Sequence, residues 1–317
     1  MNSMKAVILN NSGGTENLSL QEVSVPQPKP NEVLVKVHAI GINPVDVKTR
    51  KGGALYDSLK EQKPVILGWD ISGIVESVGN EVKGFKAGDA VFGMVNFPGH
   101  GKAYAEYVAA PEDHLAMKPE VISHGEAAAA SLAALTAWQV LVKEVNIQPG
   151  QHLLMHAAAG GVGHYAVQIA RHLGARITGT ASSSNASFLK ELGVGDHIDY
   201  TQQDFDKEVQ DIEVVFDPIG GETTKKSLEV LKPGGILISI VGGVKEELYP
   251  LIEEKEVLAK NYLVQSSGAD MAQIATLLMD EIVKSHISHQ FSFDQFAEAH
   301  QQIETGKTRG KIIINVI

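Results

Sequence analysis

Apolar and polar positions follow two different patterns along the chain. As far as about residue 122 the apolar positions form short runs, many β-branched and partly alternating, separated by glycine and proline. Val33-Leu34-Val35-Lys36-Val37-His38-Ala39 is one such run, and Gly73-Ile74-Val75-Glu76-Ser77-Val78-Gly79 is another, closed by glycine at both ends. Lys86-Ala87-Gly88-Asp89 reads as a turn into a short strand, Ala90-Val91-Phe92, and 103–108 adds a further strand. Many short strands with Gly and Pro turns predict a compact, barrel-like β domain.

The period changes at Ser123-His124-Gly125-Glu126. Ser and Glu three apart form a capping box, and an alanine-rich helix is predicted over 126–145, ending before Pro149-Gly150. Strands and helices then alternate. Strands are predicted at 152–157, 176–180, 213–217, 235–240 and 262–265, and helices at 162–173, 185–192, 222–231 and 271–284. Such alternation predicts a parallel sheet with helices on both faces. The run 310–316 is a strand again and is expected to return to the first domain. The fold class is therefore α/β, with a β domain at 1–122, completed by 267–317, and a doubly wound domain at 123–266.

Length agrees with this division, since 317 residues make about two domains of ~150 residues. With 44% hydrophobic and 21% charged residues, the chain can bury a core, which excludes general disorder. Its net charge of −11 repels a phosphate backbone and argues against nucleic acid as the main partner. Cysteine is absent, so disulfides, cysteine nucleophiles and thiolate zinc sites are excluded. That is compatible with a reducing cytoplasm, the expected location. Lys5 is followed by only four apolar residues before Asn10, fewer than the ~7–15 of a signal sequence. No stretch approaches the ~18 apolar residues of a membrane span, and no membrane partner is expected.

The sharpest local motif is His152-Leu153-Leu154-Met155-His156-Ala157-Ala158-Ala159-Gly160-Gly161-Val162-Gly163. An apolar strand runs into small residues and opens a helix. G-x-G-x-x-G is matched at 158, 160 and 163, with Ala158 in the first glycine's place. Small residues let backbone N–H groups approach a pyrophosphate, and Gly163 lets helix and strand pack closely. An ordinary glycine-rich turn is the plainer reading, but the flanking strand and helix favour a dinucleotide site. An NAD site usually carries an acid ~20 residues further on. Here Thr178-Gly179-Thr180-Ala181-Ser182-Ser183-Ser184-Asn185 has none. Its hydroxyls and amide can donate to a 2′-phosphate, or simply cap the next helix; NADPH is the expected cofactor.

Taken together, these segments resemble the medium-chain dehydrogenase/reductase superfamily, in its zinc-independent quinone oxidoreductase (zeta-crystallin-like) branch. The resemblance spans almost the whole chain. It rests on Gly41-Ile42-Asn43-Pro44-Val45-Asp46, Gly68-Trp69-Asp70-Ile71-Ser72-Gly73, Gly88-Asp89-Ala90-Val91-Phe92-Gly93, the glycine loop through Gln168-Ile169-Ala170, and Gly310-Lys311. The run Gly160 to Gln168 is most similar to the NADPH-dependent alkenal/enone reductases. A Rossmann domain and a GroES-like β domain are implied, with the cofactor in the cleft between them.

The resemblance also implies site residues. Zinc-dependent alcohol dehydrogenases of this fold place a Cys where Asn43-Pro44 stands and a His where Trp69 stands, so no metal is expected. The pairs His152/His156 and His286/His289 read as structural or solvated histidines. Asn43 would position the substrate carbonyl or the cofactor carboxamide, and Lys48 would hydrogen-bond a developing enolate oxygen and supply a proton, unless it is a solvated loop lysine. Asp46 reads as structural. Thr136 would contact the nicotinamide ribose, Gly160, Gly161, Val162 and Gly163 the pyrophosphate, and Ser182, Ser183 and Tyr200 the 2′-phosphate and adenosine end. Val241 and Gly242 would approach the nicotinamide, and Lys311 would close over the cofactor. The implied activity is NADPH-dependent reduction of quinones or α,β-unsaturated carbonyls. The alternatives are reduction of enoyl thioesters and a catalytically idle NADPH-binding redox sensor or crystallin-like protein. A homodimer is expected, paired through an exposed sheet edge near Tyr262-Leu263-Val264.

Overall fold

The computed structural model describes residues 3–317. The chain forms two compact units. One ends at Leu135 and resumes as Gln265–Ile317; the other is Thr136–Val264. In chain order the first unit holds β1 (Ser3–Leu9), β2 (Leu18–Ser24), β3 (Glu32–Ile42), β4 (Asp70–Val78), β5 (Ala90–Met94), β6 (Tyr107–Pro111) and β7 (Leu115–Met117). The second holds β8 (His152–Met155), β9 (Arg176–Ala181), β10 (Asp196–Asp199), β11 (Ile212–Asp217), β12 (Leu231–Ser239) and β13 (Leu258–Asn261). The chain then returns to the first unit for β14 (Ile287–Ser292) and β15 (Lys311–Asn315).

In the first unit a seven-stranded sheet runs β14-β15-β3-β4-β5-β7, with β6 also paired to β3, and β1-β2 form a separate hairpin. β3 is the hub. It pairs antiparallel with β15, β4 and β6, and only Lys36 and His38 along it escape full burial. That explains its near-continuous apolar sequence. The predicted strand at 103–108 is displaced to β6. Tyr104 instead makes single backbone bonds to two segments, donating to Leu67 (3.0 Å) and accepting from Val7 (2.8 Å).

In the second unit six strands run β10-β9-β8-β11-β12-β13, all parallel. The chain winds outward from β8 to β10, then crosses to β11 on the other side of β8. This is the doubly wound order, with its switch point between β8 and β11. Leu154, Val215 and Leu237 from three neighbouring strands pack with Leu228 and Val230 of the helix Glu222–Val230 in one buried cluster. The last strand lies at Leu258–Asn261 rather than 262–265. It is an edge strand with no fully buried residue, so the hydrophobic pattern pointed past it. Tyr262 N–H makes one further bond, to Ser239 O at 2.8 Å.

The capping box forms as expected: Ser123 N–H donates to Glu126 Oε2 at 2.8 Å, and Glu126 N–H to Ser123 Oγ at 3.2 Å. The helix runs His124–Trp138 and continues as a π-helical turn, Gln139–Glu144. The unit boundary falls inside it, after Leu135, rather than at 122. The cause is local: Leu132 N–H donates to Asp70 Oδ1 (2.9 Å) and Ser285 Oγ to Glu126 O (2.8 Å), which fastens the first turns to the first unit. By length and composition His124–Glu144 would suffice to cross a membrane, contrary to the sequence expectation. Its most apolar window is 72% buried inside the protein, as a core helix is.

Gly163 opens the helix Gly163–His172. A Cβ there would lie 2.2 Å from Ala157 O and 2.8 Å from Ala158 Cα, so only glycine lets the helix start this close to the β8 turn. Gly163→Ala is expected to cost roughly 1–3 kcal/mol of stability. A smaller loss is expected for Gly160→Ala, where the nearest atom is 3.1 Å away. Urea unfolding of both variants reads the difference; equal losses would contradict the packing argument.

Candidate functional site

The turn after β8 is where the sheet's carboxyl edge meets water. β8 is buried throughout, whereas Gly160, Gly161 and Val162 are half-buried. Ala157 adopts a left-handed backbone (φ 48°), and its carbonyl accepts from Gly160 N–H at 2.8 Å, which closes the turn. Among the described residues no backbone carbonyl accepts from the N–H groups of Gly161, Val162 or Gly163. Three donors therefore stand free where a ten-residue helix begins, the arrangement that accepts a phosphate.

Loops from β11 and β12 share this carboxyl edge. Val241 and Gly242, after β12, are both exposed, and a Cβ on Gly242 (φ 75°) would meet nothing. Ser239 Oγ accepts from Gly243 N–H at 3.0 Å and holds the turn. Asp217, which the sequence reading passed over, ties down the β11 loop. Its Oδ1 accepts from Ile219 N–H (2.8 Å) and Gly220 N–H (3.0 Å), and its Oδ2 from Thr224 Oγ1 (2.5 Å). Asp-Pro-x-Gly-Gly is a turn signal that would have found it. Thr136 is buried, 3% exposed, on the alanine-rich helix. These features fit a dinucleotide along the carboxyl edge of the sheet.

Past β9, Ser182 is half-buried while Ser183 and Ser184 are exposed. Ser182 Oγ lies 3.0 Å from Ser184 Oγ and accepts from Asn185 Nδ2 at 3.1 Å. Tyr200, 62% exposed, follows β10, whose last residue, Asp199, stands in register with Ala181. Ser182 and Tyr200 thus leave neighbouring strand ends. Asp199 Oδ1 accepts from Thr201 N–H (2.9 Å) and Oγ1 (2.7 Å). Those bonds hold its carboxyl below the usual range, and the Ser183 hydroxyl and N–H add to the effect.

A second polar cluster lies in the first unit, where β3 ends, β4 begins and β15 begins. Asn43 follows β3 and is 2% exposed. Its N–H donates to Asp46 Oδ2 (2.7 Å), and its Nδ2 to Asp70 Oδ2 (2.8 Å). Lys311 Nζ donates to Asn43 Oδ1 and to Ile42 O (3.1 Å), with Asp70 Oδ2 3.6 Å away. Burial pushes the Asp46 carboxyl up to about 7. It pushes Asp70 up to about 6 against the pull of the Lys311 ammonium, and lowers Lys311 itself.

These placements change one expectation. Lys311 does not lie open over a ligand: it is 3% exposed and its ammonium is committed to Ile42, Asn43 and Asp70. Lys48 is exposed, while both ends of the Asn43 amide are bound. Asp46 holds the corner at Asn43 through its Oδ2.

Residues 29–120 match the alcohol dehydrogenase GroES-like domain model, and residues 192–314 the zinc-binding dehydrogenase model. The chain is 34% identical to a 2-methylene-furan-3-one reductase of Solanum lycopersicum, over 99% of this chain and 79% of that one. It is 31% identical to an NADPH-dependent alkenal/one oxidoreductase, chloroplastic, of Arabidopsis thaliana, over 98% and 79%. The chain belongs to the medium-chain dehydrogenase/reductase superfamily. The solved quinone oxidoreductase of Coxiella burnetii superposes with a TM-score of 0.94 at 35% identity, covering 99% of this chain and 100% of that one. As in that superfamily, the parallel unit is Rossmann-like, the first unit is GroES-like, and the chain is an oxidoreductase of nicotinamide cofactors.

Among the described residues no group of three or more His, Cys, Asp or Glu is placed to hold a metal. Trp69, where zinc-dependent members of the superfamily carry His, is buried with its Nε1 donating to Gly99 O at 2.7 Å. Asp70 already faces an ammonium. His152 faces Thr178 (2.8 Å) and Arg176 (3.0 Å), and His156 faces Thr180 (3.2 Å) and Ser227 (2.9 Å). Both ring nitrogens of each are occupied. This donor set does not fit zinc.

Removing the ammonium leaves Asp70 buried without its counter-ion, so Lys311→Met is expected to cost about 3–5 kcal/mol near pH 8. Asp70 has a folded pKa above its unfolded one, so its charge opposes folding. The stability it permits is full below about pH 4 and lost as pH rises through about 6. The Lys311→Met penalty is therefore larger at pH 8 than at pH 5, and Asp70→Asn in the same chain recovers part of it. Urea unfolding at the two pH values decides; a penalty independent of pH would contradict the assignment.

Proposed function

We propose that the protein reduces quinones or α,β-unsaturated carbonyls with NADPH and without zinc. The observation that carries this reading is the trio of free N–H groups at Gly161, Val162 and Gly163, at the switch point of a doubly wound sheet. Relatives named as reductases of enones and quinones supply the acceptor class. The cofactor, when bound, supplies the hydride.

The chain supplies binding and orientation. The three N–H groups hold the pyrophosphate, the Ser182 and Ser183 hydroxyls receive the 2′-phosphate, and Val241 and Gly242 present an open backbone to the nicotinamide end. Asn43 acts as a positioning residue, fixed by Asp70 and Lys311. Lys48, with its ammonium in solvent, is the proton donor to the carbonyl oxygen of the reduced acceptor. An acceptor of this class is already activated by its own carbonyl, so no Lewis acid is required.

NADPH oxidation with a panel of quinones, enones and enoyl thioesters tests the reading. Turnover with the first two classes is expected. NADPH binding without turnover would favour a redox sensor, and turnover confined to thioesters the enoyl reductase. Gly160→Val is expected to abolish NADPH binding in a folded protein, because the branched side chain fills the pyrophosphate cradle. Lys48→Met is expected to lower kcat while leaving NADPH affinity unchanged.

A further inference from the structure

The nucleotide site described above has an acid beside it that the glycine motif does not announce. The usual discriminating carboxylate stands at the end of the second Rossmann strand, where it accepts from a ribose 2′-OH and repels a 2′-phosphate. β9 ends in Ala181 and three serines, so that position is neutral. The neighbouring strand fills the gap. Asp199 ends β10 in register with Ala181, and His197 Nε2 binds Ala181 O at 3.0 Å, which fixes the two strand ends side by side. Thr201 holds the carboxylate through two bonds, at 2.9 and 2.7 Å. The Ser183 hydroxyl and N–H, groups a phosphate would use, add to what favours the charged form of that carboxylate. From Ala181 to Thr201 the sequence offers one lysine or arginine, Lys190, which is exposed on the helix Ala186–Leu192.

We propose that Asp199 is the specificity-determining residue for the nucleotide. Its carboxylate opposes a 2′-phosphate at the Ser182–Ser184 turn and so lets the protein accept NADH alongside NADPH. The proposal rests on the nucleotide reading above. It modifies one part of it: the serines alone favour the phosphate, and Asp199 takes most of that advantage away. Opposition between exposed charges a few ångströms apart is modest in water and screened over ~10 Å at 0.1 M salt. The effect expected is therefore about three- to tenfold.

Asp199→Asn tests this, because the amide oxygen still accepts from Thr201 while the charge is removed. Isothermal titration with adenosine 2′,5′-bisphosphate and with 5′-AMP reads the adenosine end without any turnover. The bisphosphate is expected to bind about three- to tenfold more tightly to the variant than to wild type, with more gain at 20 mM than at 300 mM salt. Affinity for 5′-AMP should stay constant. The kcat/KM ratio of NADPH to NADH should rise by the same factor. An unchanged bisphosphate-to-AMP ratio would overturn the proposal, as would equal loss for both ligands, the mark of a loop merely disordered. If wild type binds neither ligand, nor NADPH, the nucleotide reading falls and this proposal with it. If wild type binds both and only the ratio fails to move, the nucleotide reading stands alone.

Discussion

The Lys311 ammonium lies out of reach of solvent, so oxygen atoms of the protein must replace its hydration shell. Three strand ends are brought to it for that purpose. β3 delivers Ile42 O and the Asn43 amide, β4 delivers Asp70, and β15 carries the lysine itself. The alanine-rich helix adds Leu132 N–H to the far oxygen of Asp70. Two carboxylates and one ammonium in a dry site cannot all be charged at little cost, which is why burial raises both acids. A fixed organic cation, the Lys311 ammonium, holds this corner.

The second unit faces the opposite problem. Its parallel sheet leaves three backbone donors open at the carboxyl edge. Gly161, Val162 and Gly163 keep N–H groups that no backbone carbonyl answers, the first two in half-buried positions. Asp217 and Ser239 answer the N–H groups of the adjoining loops, which keeps those loops in shape without a ligand.

Most of the architecture was readable along the chain, because periodicity and glycine punctuation are local signals. The glycine loop, the capping box at Ser123, the alternation beyond it and the strand at Lys311 all emerged where expected. What escaped was non-local. β13 has no buried side chain, so nothing in its composition marks it. Tyr104 is extended but bonded to two separate segments, which no window of sequence reveals. Lys311 was expected over the cofactor because the resemblance implied it; only strand pairing shows that Asn43 and Asp70 enclose it. Asp199 was invisible for a similar reason, since it meets the serine turn across a strand pair.

The first unit is discontinuous, and this bears on the order in which the protein can form. Residues Thr136–Val264 are contiguous, so a ribosome delivers the entire parallel sheet as one uninterrupted stretch. β3, the hub of the other sheet, is made far earlier but waits for β15 to occupy its remaining edge. Until then that edge keeps open hydrogen-bonding groups, and Asp70 and Asn43 have no ammonium between them. The middle of the chain is thus available as a whole before the first unit has received its last two strands.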